Sequence, residues 1–390
     1  MQRPSTWPVF DEEQIAAVVA MLRSGKVNAW TGPDVRAFED EFAAHAGTAH
    51  AVAMANGSVT LDAALRALDL QPGDEVIVSP RSFVVSASCV ILAGGRPVFA
   101  DVDPDSGNIT PASIAPLITG RTRGIIPIHL GGWPCDMDGI MALAAEHGLW
   151  VIEDCAQAHG ARIGERVVGS IGTLGSYSFC QDKIISTGGE GGMITTDDAA
   201  IYDRIWSFKD HGKSRAEVFA PNPAPGFRWL HSAGVGTNLR MTGPSAAIGR
   251  VQLRRLPEWQ AARAANAARL ERALAQSPAL RVPLPPAGVT PAWYRLYAYL
   301  RPEALRPGWD RDRIVAEAAR RGIALFSGSC SEIYREGNFA APGHHPPAPL
   351  PVAAELGETS LAFLTDPTWT EAELDLVSST LLEVLLDGSA

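Results

Sequence analysis

Five short apolar runs, at residues 50–55, 75–78, 97–102, 124–130 and 150–154, recur along the first part of the chain with helix-like stretches between them. A run that is apolar throughout must be covered on both faces, and regular alternation with helices supplies that cover. The pattern leads to an α/β fold with a largely parallel sheet, whose ligands sit beyond the carboxyl ends of the strands. Asn56, Phe83, His129 and Asp154 fall at such ends or just past them, so they are expected to converge on one crevice. Helices are expected at 12–22, 35–46, 61–68, 84–93 and 139–147.

Beyond residue 196 a helix is expected to about residue 208, then a glycine-, proline- and tryptophan-rich functional loop at 215–236. A long helix at 244–276 is expected to break at Pro257. Residues 278–291 read as a proline-rich connector, followed by strands at 293–300 and 324–326, helices at 311–321 and 371–386, and a loop at 327–351. The expected division is a large α/β domain at 1–250 and a smaller α+β domain at 251–390.

The chain has 390 residues and a net charge of −10, which offers no basic stripe for nucleic acid. No apolar run approaches the roughly 18 residues of a membrane span, and residues 1–8 lack the apolar core of a signal peptide. Five scattered cysteines without CxxC spacing read as reduced thiols of a cytoplasmic protein. His344-His345 has no third ligand at useful spacing, so no metal is expected.

Only four lysines occur, Lys26, Lys183, Lys209 and Lys213. Lys183 stands between Gly175-Ser176-Tyr177-Ser178-Phe179-Cys180 and the glycine-rich Gly188-Gly189-Glu190-Gly191-Gly192. An amine there can be desolvated to a nucleophile and form a Schiff base, which a guanidinium cannot do. The same lysine could equally be a snorkelling surface residue. Asn56-Gly57-Ser58 between a strand and a helix suits an anion, or is an ordinary helix cap. Asp154 closes an apolar strand and needs a partner: a protonated ring nitrogen, a helix N-terminus or a structural ion pair. His159 reads as a structural histidine.

Taken in order, Trp30-Thr31-Gly32-Pro33, Asn56-Gly57-Ser58, Phe83, Asp101-Val102-Asp103, Glu153 to Gly160, Ser178-Phe179, Lys183, Gly189 to Gly192, His211-Gly212 and Gly236 to Met241 resemble the sugar aminotransferases of the DegT/DnrJ/EryC1/StrS type over nearly the whole chain. The resemblance implies a fold-type I enzyme using pyridoxal 5′-phosphate (PLP). Lys183 would carry the cofactor as a Schiff base and shuttle the proton, and Asp154 would keep the pyridine nitrogen protonated. Gln157 would meet the phenolic oxygen, and Phe83 would stack on the ring. Gly57, Ser58, Ser178 and Asn238 from a second subunit would hold the phosphate, making the active unit a homodimer. A dehydratase branch has histidine in place of the lysine, so Lys183 sets this chain apart from it. The implied reaction is amination of a nucleotide-linked 4-keto or 3-keto hexose with glutamate as donor. The rivals are an aminotransferase for a cyclitol or other non-nucleotide ketone and a non-catalytic PLP-binding regulator; a Rossmann oxidoreductase lacks its GxGxxG. Arg228, His231, Arg240 and Tyr334 are expected substrate contacts.

Overall fold

The computed structural model describes residues 6–221 and 226–390. The readings made on residues 1–5 and on 222–225 of the long loop lie outside the described residues. In chain order the first part contains α1 (Glu12–Ser24), α2 (Asp34–Ala46), β1 (His50–Met54), α3 (Gly57–Ala67), β2 (Glu75–Val78), α4 (Val85–Leu92), β3 (Arg96–Phe99), α5 (Pro111–Ile114), β4 (Thr122–Ile126), α6 (Met137–His147) and β5 (Trp150–Asp154). Then come β6 (Arg162–Ile163), β7 (Arg166–Val167), β8 (Leu174–Ser178), β9 (Gly192–Thr196), α7 (Ala199–Lys209), α8 (Arg215–Phe219) and α9 (Gly243–Leu274). The remainder holds β10 (Leu280–Arg281), β11 (Val289–Thr290), β12 (Arg295–Leu300), α10 (Arg311–Arg320), β13 (Leu325–Phe326), α11 (Pro351–Thr359), β14 (Ser360–Leu364) and α12 (Glu371–Gly388).

Seven strands form the central sheet in the order β1-β9-β8-β5-β4-β2-β3. Pairing is parallel from β8 through β5, β4 and β2 to β3, and only β9 runs against its neighbours. The expected mostly parallel sheet is therefore mixed at one edge. Side chains alternate across it, and both faces are apolar. Val76 and Val78 join the core under α3, α4 and α7, whereas Ile77 joins that under α5 and α6. A third core holds β1, β8 and β9 against α2 and the first half of α9.

A four-stranded antiparallel sheet, β10-β12-β14-β13, packs on α10, α12 and the far end of α9 through Leu270 and Leu274. Helix α9 thus belongs to two cores, running unbroken through Pro257 where a break was expected. Proline removes one N–H and crowds one carbonyl, but Leu253, Leu256 and Trp259 around it are buried, and that packing holds the helix together. The proline-rich connector carries structure as well: β10 already pairs with β12, and β11 pairs back onto β6. Residues 215–236, expected to be loop, contain α8, and α11 and β14 fill a stretch to which no element had been assigned. Among the described residues no helix is long and apolar enough to cross a membrane.

Candidate active site

The lysine loop leaves β8 after Ser178 and returns into β9 at Gly192. Phe179 N–H donates to the Gly191 carbonyl (2.8 Å) and Thr187 N–H to the Phe179 carbonyl (3.2 Å), closing the loop on itself. Gly188 and Gly189 take φ of 88° and 125°, a region that strains any residue with a Cβ. Outside contacts hold it too: the Trp7 indole N–H donates to the Lys183 carbonyl (2.7 Å), and Ser186 N–H donates to Gln252 Oε1 (2.9 Å).

Lys183 lines a cavity of about 630 Å³ together with Phe83, Gln157, Asp182, Tyr294, Arg295 and Tyr297. Its Nζ lies 3.7 Å from Asp182 Oδ1 and 5.1 Å from the centroid of the Tyr294 ring. The other lysines are engaged or remote from this wall. Lys209 pairs with Glu39 at 3.1 Å, Lys213 pairs with Asp210 at 2.9 Å, and Lys26 is exposed. Of the four lysines, Lys183 alone lines this cavity. Asp182 accepts a hydrogen bond from the Tyr294 hydroxyl. Burial alone would raise its pKa, but the Lys183 charge and that hydroxyl carry it below the ordinary carboxylate value.

Asp154 ends β5 and is buried. Its Oδ2 accepts from Ser86 Oγ (2.8 Å), which also bonds Ser82 Oγ (2.9 Å), and its Oδ1 accepts from Ala156 N–H (3.1 Å). Burial pushes its pKa up, with the Ser86 hydrogen bond working the other way. It neither caps a helix nor enters an ion pair among the described residues, so two of its three anticipated partners are excluded. Phe83 lies between Ser82 and Ser86 in sequence, and its ring is 67% exposed on the cavity wall. Gln157 Oε1 accepts from Gly131 N–H (2.7 Å), and its Nε2 donates to Ser329 Oγ (3.4 Å). Ser329 N–H in turn donates to the Tyr297 hydroxyl (2.9 Å), so Gln157 is tied through Ser329 to β12. Arg81 is fully buried, with its guanidinium 5.2 and 5.6 Å from the rings of Tyr297 and Tyr299.

Helix α3 begins at Gly57, four residues before the expected start, so the polar turn is the helix's own first turn. Asn56 Oδ1 accepts from both Ser58 N–H and Val59 N–H at 3.0 Å. The Ser58 amide is therefore engaged by the cap. A Cβ on Gly57 would stand 2.6 Å from Ser178 Cβ, so this N-terminus and the end of β8 meet at a close approach that only glycine allows. Asn238 is exposed, pairs through its backbone with Asp210, and lies outside the cavity of its own chain.

Some expectations need correction. His129 does not reach the crevice. It is wholly buried, with Nε2 3.1 Å from Glu153 and Nδ1 accepting from Cys135 N–H (3.0 Å). With Cys155, His129 and Glu153 form a metal-like cluster, but Glu153 already accepts from the amides of Gly169, Ile171 and Gly172. The trio is structural, tying β5 to the turn before β8. His159 is also buried, which lowers its pKa to about 3 and keeps it neutral. Among the anticipated substrate contacts, Arg240 pairs with Asp210 (2.8 Å) and Arg228 bonds the Glu217 carbonyl. Tyr334 is buried with its hydroxyl on Glu332, and none of the four, His231 included, lines this cavity. Tyr294, Arg295, Tyr297 and Ser329 do line it, from in and beside the four-stranded sheet. Of these, the aromatic run at 294–299 was the one available signal, and it read only as a strand.

The residues present fit pyridoxal 5′-phosphate. A buried carboxylate with no ion-pair partner among the described residues stands at a strand end, an amine and an exposed aromatic face share one cavity, and a glycine-only approach adjoins a helix N-terminus. The profile of the DegT/DnrJ/EryC1/StrS aminotransferase family matches residues 8–382. An aminotransferase of known structure from Psychrobacter cryohalolentis is 50% identical, with a TM-score of 0.96 over 99% of each chain. The spore coat polysaccharide biosynthesis protein SpsC of Bacillus subtilis is 38% identical over 312 residues, 80% of this chain and 79% of that protein. The UDP-N-acetyl-3-dehydro-alpha-D-glucosamine 3-aminotransferase of Acidithiobacillus ferrooxidans is 35% identical over 361 residues, 91% and 89% of the two lengths. A match that spans nearly the whole chain, on a fold-type I scaffold with its lysine in the cavity, makes this protein a member of the DegT/DnrJ/EryC1/StrS aminotransferase family.

Proposed function

We propose that this aminotransferase transfers an amino group from glutamate to a nucleotide-linked keto-hexose, for surface polysaccharide or natural-product glycosylation. The observation that carries the reading is the single cavity shared by Lys183, Gln157 and Phe83, in a chain whose relatives include an enzyme named for a UDP-sugar. The keto carbon is C4 of the sugar, or C3, as in the name of the Acidithiobacillus relative.

When bound, PLP supplies an electron sink for the carbon that loses its proton. The protein's own contribution begins with Lys183, whose Nζ would hold the group and would move the proton at the reacting carbon. Asp154 holds positive charge at the ring nitrogen, since an opposite charge at hydrogen-bond distance favours the protonated form. Phe83 would stack on the ring, and Gln157 would meet the phenolic oxygen. Gly57, Ser58 through its hydroxyl, and Ser178 receive the phosphate, with Asn238 reaching in from a second copy. Exposed apolar side chains support that homodimer: Ile15, Val19 and Leu22 on one side of α1, with Phe227, Trp229 and Val235 in the loop before Asn238. Monomers rarely leave so much apolar surface uncovered.

The test follows the cofactor's absorbance. Glutamate should convert it to the amine form, and keto-sugar nucleotides differing in base and in keto position should reverse the change. Reversal by free cyclitols but by no sugar nucleotide would overturn the substrate class, and no conversion with any donor would point to a regulator.

A further inference from the structure

Four charged side chains line the cavity: Asp182, Lys183, Arg295 and Glu336. Asp182 is taken up by the Tyr294 hydroxyl and the nearby Lys183 amine. Arg295 is different. It enters no ion pair among the described residues, and its one hydrogen bond runs from Nη1 to the Tyr294 carbonyl at 2.8 Å. That leaves the Nε–Nη2 edge of the guanidinium without an acceptor among the described residues.

The side chain is nonetheless held in place. Its Cζ lies 4.2 Å from the centroid of the Tyr294 ring, and its backbone opens β12 opposite Leu364 of β14. Two residues earlier, Trp293 sits in the left-handed region at φ 52°, and its carbonyl accepts from the Thr365 hydroxyl. Lys183 Nζ approaches the same Tyr294 ring at 5.1 Å, so amine and guanidinium share one aromatic wall.

Building on the proposal that glutamate is the donor, we infer that Arg295 recognises the amino donor by binding the carboxylate next to its reacting carbon. A guanidinium edge matches a planar carboxylate with two parallel hydrogen bonds. Position selects this anion over the diphosphate of a sugar nucleotide. The donor's α-carboxylate is attached to the very carbon whose amine meets Lys183, whereas the diphosphate is separated from the keto carbon by the sugar ring. In the second half-reaction Arg295 would face neutral sugar hydroxyls, which gain less from a cation than a carboxylate does.

The test uses full-length, cofactor-loaded protein with Arg295→Gln and Arg295→Lys. Calorimetry with glutarate, a carboxylate that cannot react, should show binding to the unaltered protein, weakened roughly tenfold or more in the Gln variant and less in the Lys variant. In single-turnover measurements the efficiency of the glutamate half-reaction should fall roughly ten- to hundredfold in Arg295→Gln, while the sugar-nucleotide half-reaction changes less than about threefold. Unchanged glutarate binding and glutamate kinetics in Arg295→Gln would overturn the assignment, and so would an equal loss in both half-reactions. If glutamate fails to convert the cofactor of the unaltered protein, the donor reading itself falls and the inference falls with it.

Discussion

Asp154 shows how one side chain can be wrong for stability and right for function. Its folded pKa is raised by burial, so the folded state holds the proton more tightly than the unfolded chain does. As pH rises from the unfolded value through the folded one, ionisation costs more in the folded state and stability is lost. At neutral pH the cofactor-free protein therefore carries that cost. Asp154→Asn keeps the shape and removes the charge. The cofactor-free variant should melt at the same temperature or up to about 4 °C higher at pH 7.5, while turnover falls at least about a hundredfold. A clear drop in melting temperature would mean that the carboxylate stabilises the fold. Asp154 and Lys183 were legible from residue type and place: an acid ending an apolar strand, and a rare amine among glycines. Ser86, which donates to Asp154, was not, because a serine in a helix has no signature until the helix is docked.

At the scale of elements, the N-terminus of α3 carries the sharpest expectation. Alanine normally improves a helix over glycine by up to about 1 kcal/mol. At Gly57 the added Cβ would meet Ser178 Cβ at 2.6 Å, and relieving such an overlap costs roughly 1–3 kcal/mol. Gly57→Ala should thus lower the melting temperature and weaken PLP binding roughly tenfold or more, measured by fluorescence titration. A stabilised variant with unchanged affinity would show that the approach yields freely. The strands of the central sheet were readable because double-sided burial makes them apolar without interruption. Helix α9 was misread at Pro257, where tertiary packing outweighs a local preference. The short β10 and β11 were missed, since two-residue strands exist only through their partners.

Over the whole molecule, the question is whether one chain can complete its own site. Asn238 stands outside its own cavity, so subunits carrying Lys183→Ala and Asn238→Ala should each be nearly inactive alone. Mixed during refolding or co-expressed, they should regain up to about half the activity per mixed dimer, because one site then has both residues intact. No recovery, with dimers present by light scattering, would place Asn238 in its own subunit's chemistry.

What the sequence by itself determined is the set of parts. Apolar runs in alternation with helices force a two-sided sheet, and a small group of residues at strand ends follows from where such a sheet leaves room. Tertiary structure alone decided what faces the amine. His129, at a strand end like Asp154, turned inward to Glu153, while Tyr294, Arg295 and Tyr297 arrived from the start of β12, more than a hundred residues after Lys183. The physical reason is that strand order and domain docking are long-range packing choices. Local pattern sets which surfaces must be buried, but the cores they build together decide which side chains are left facing the cavity.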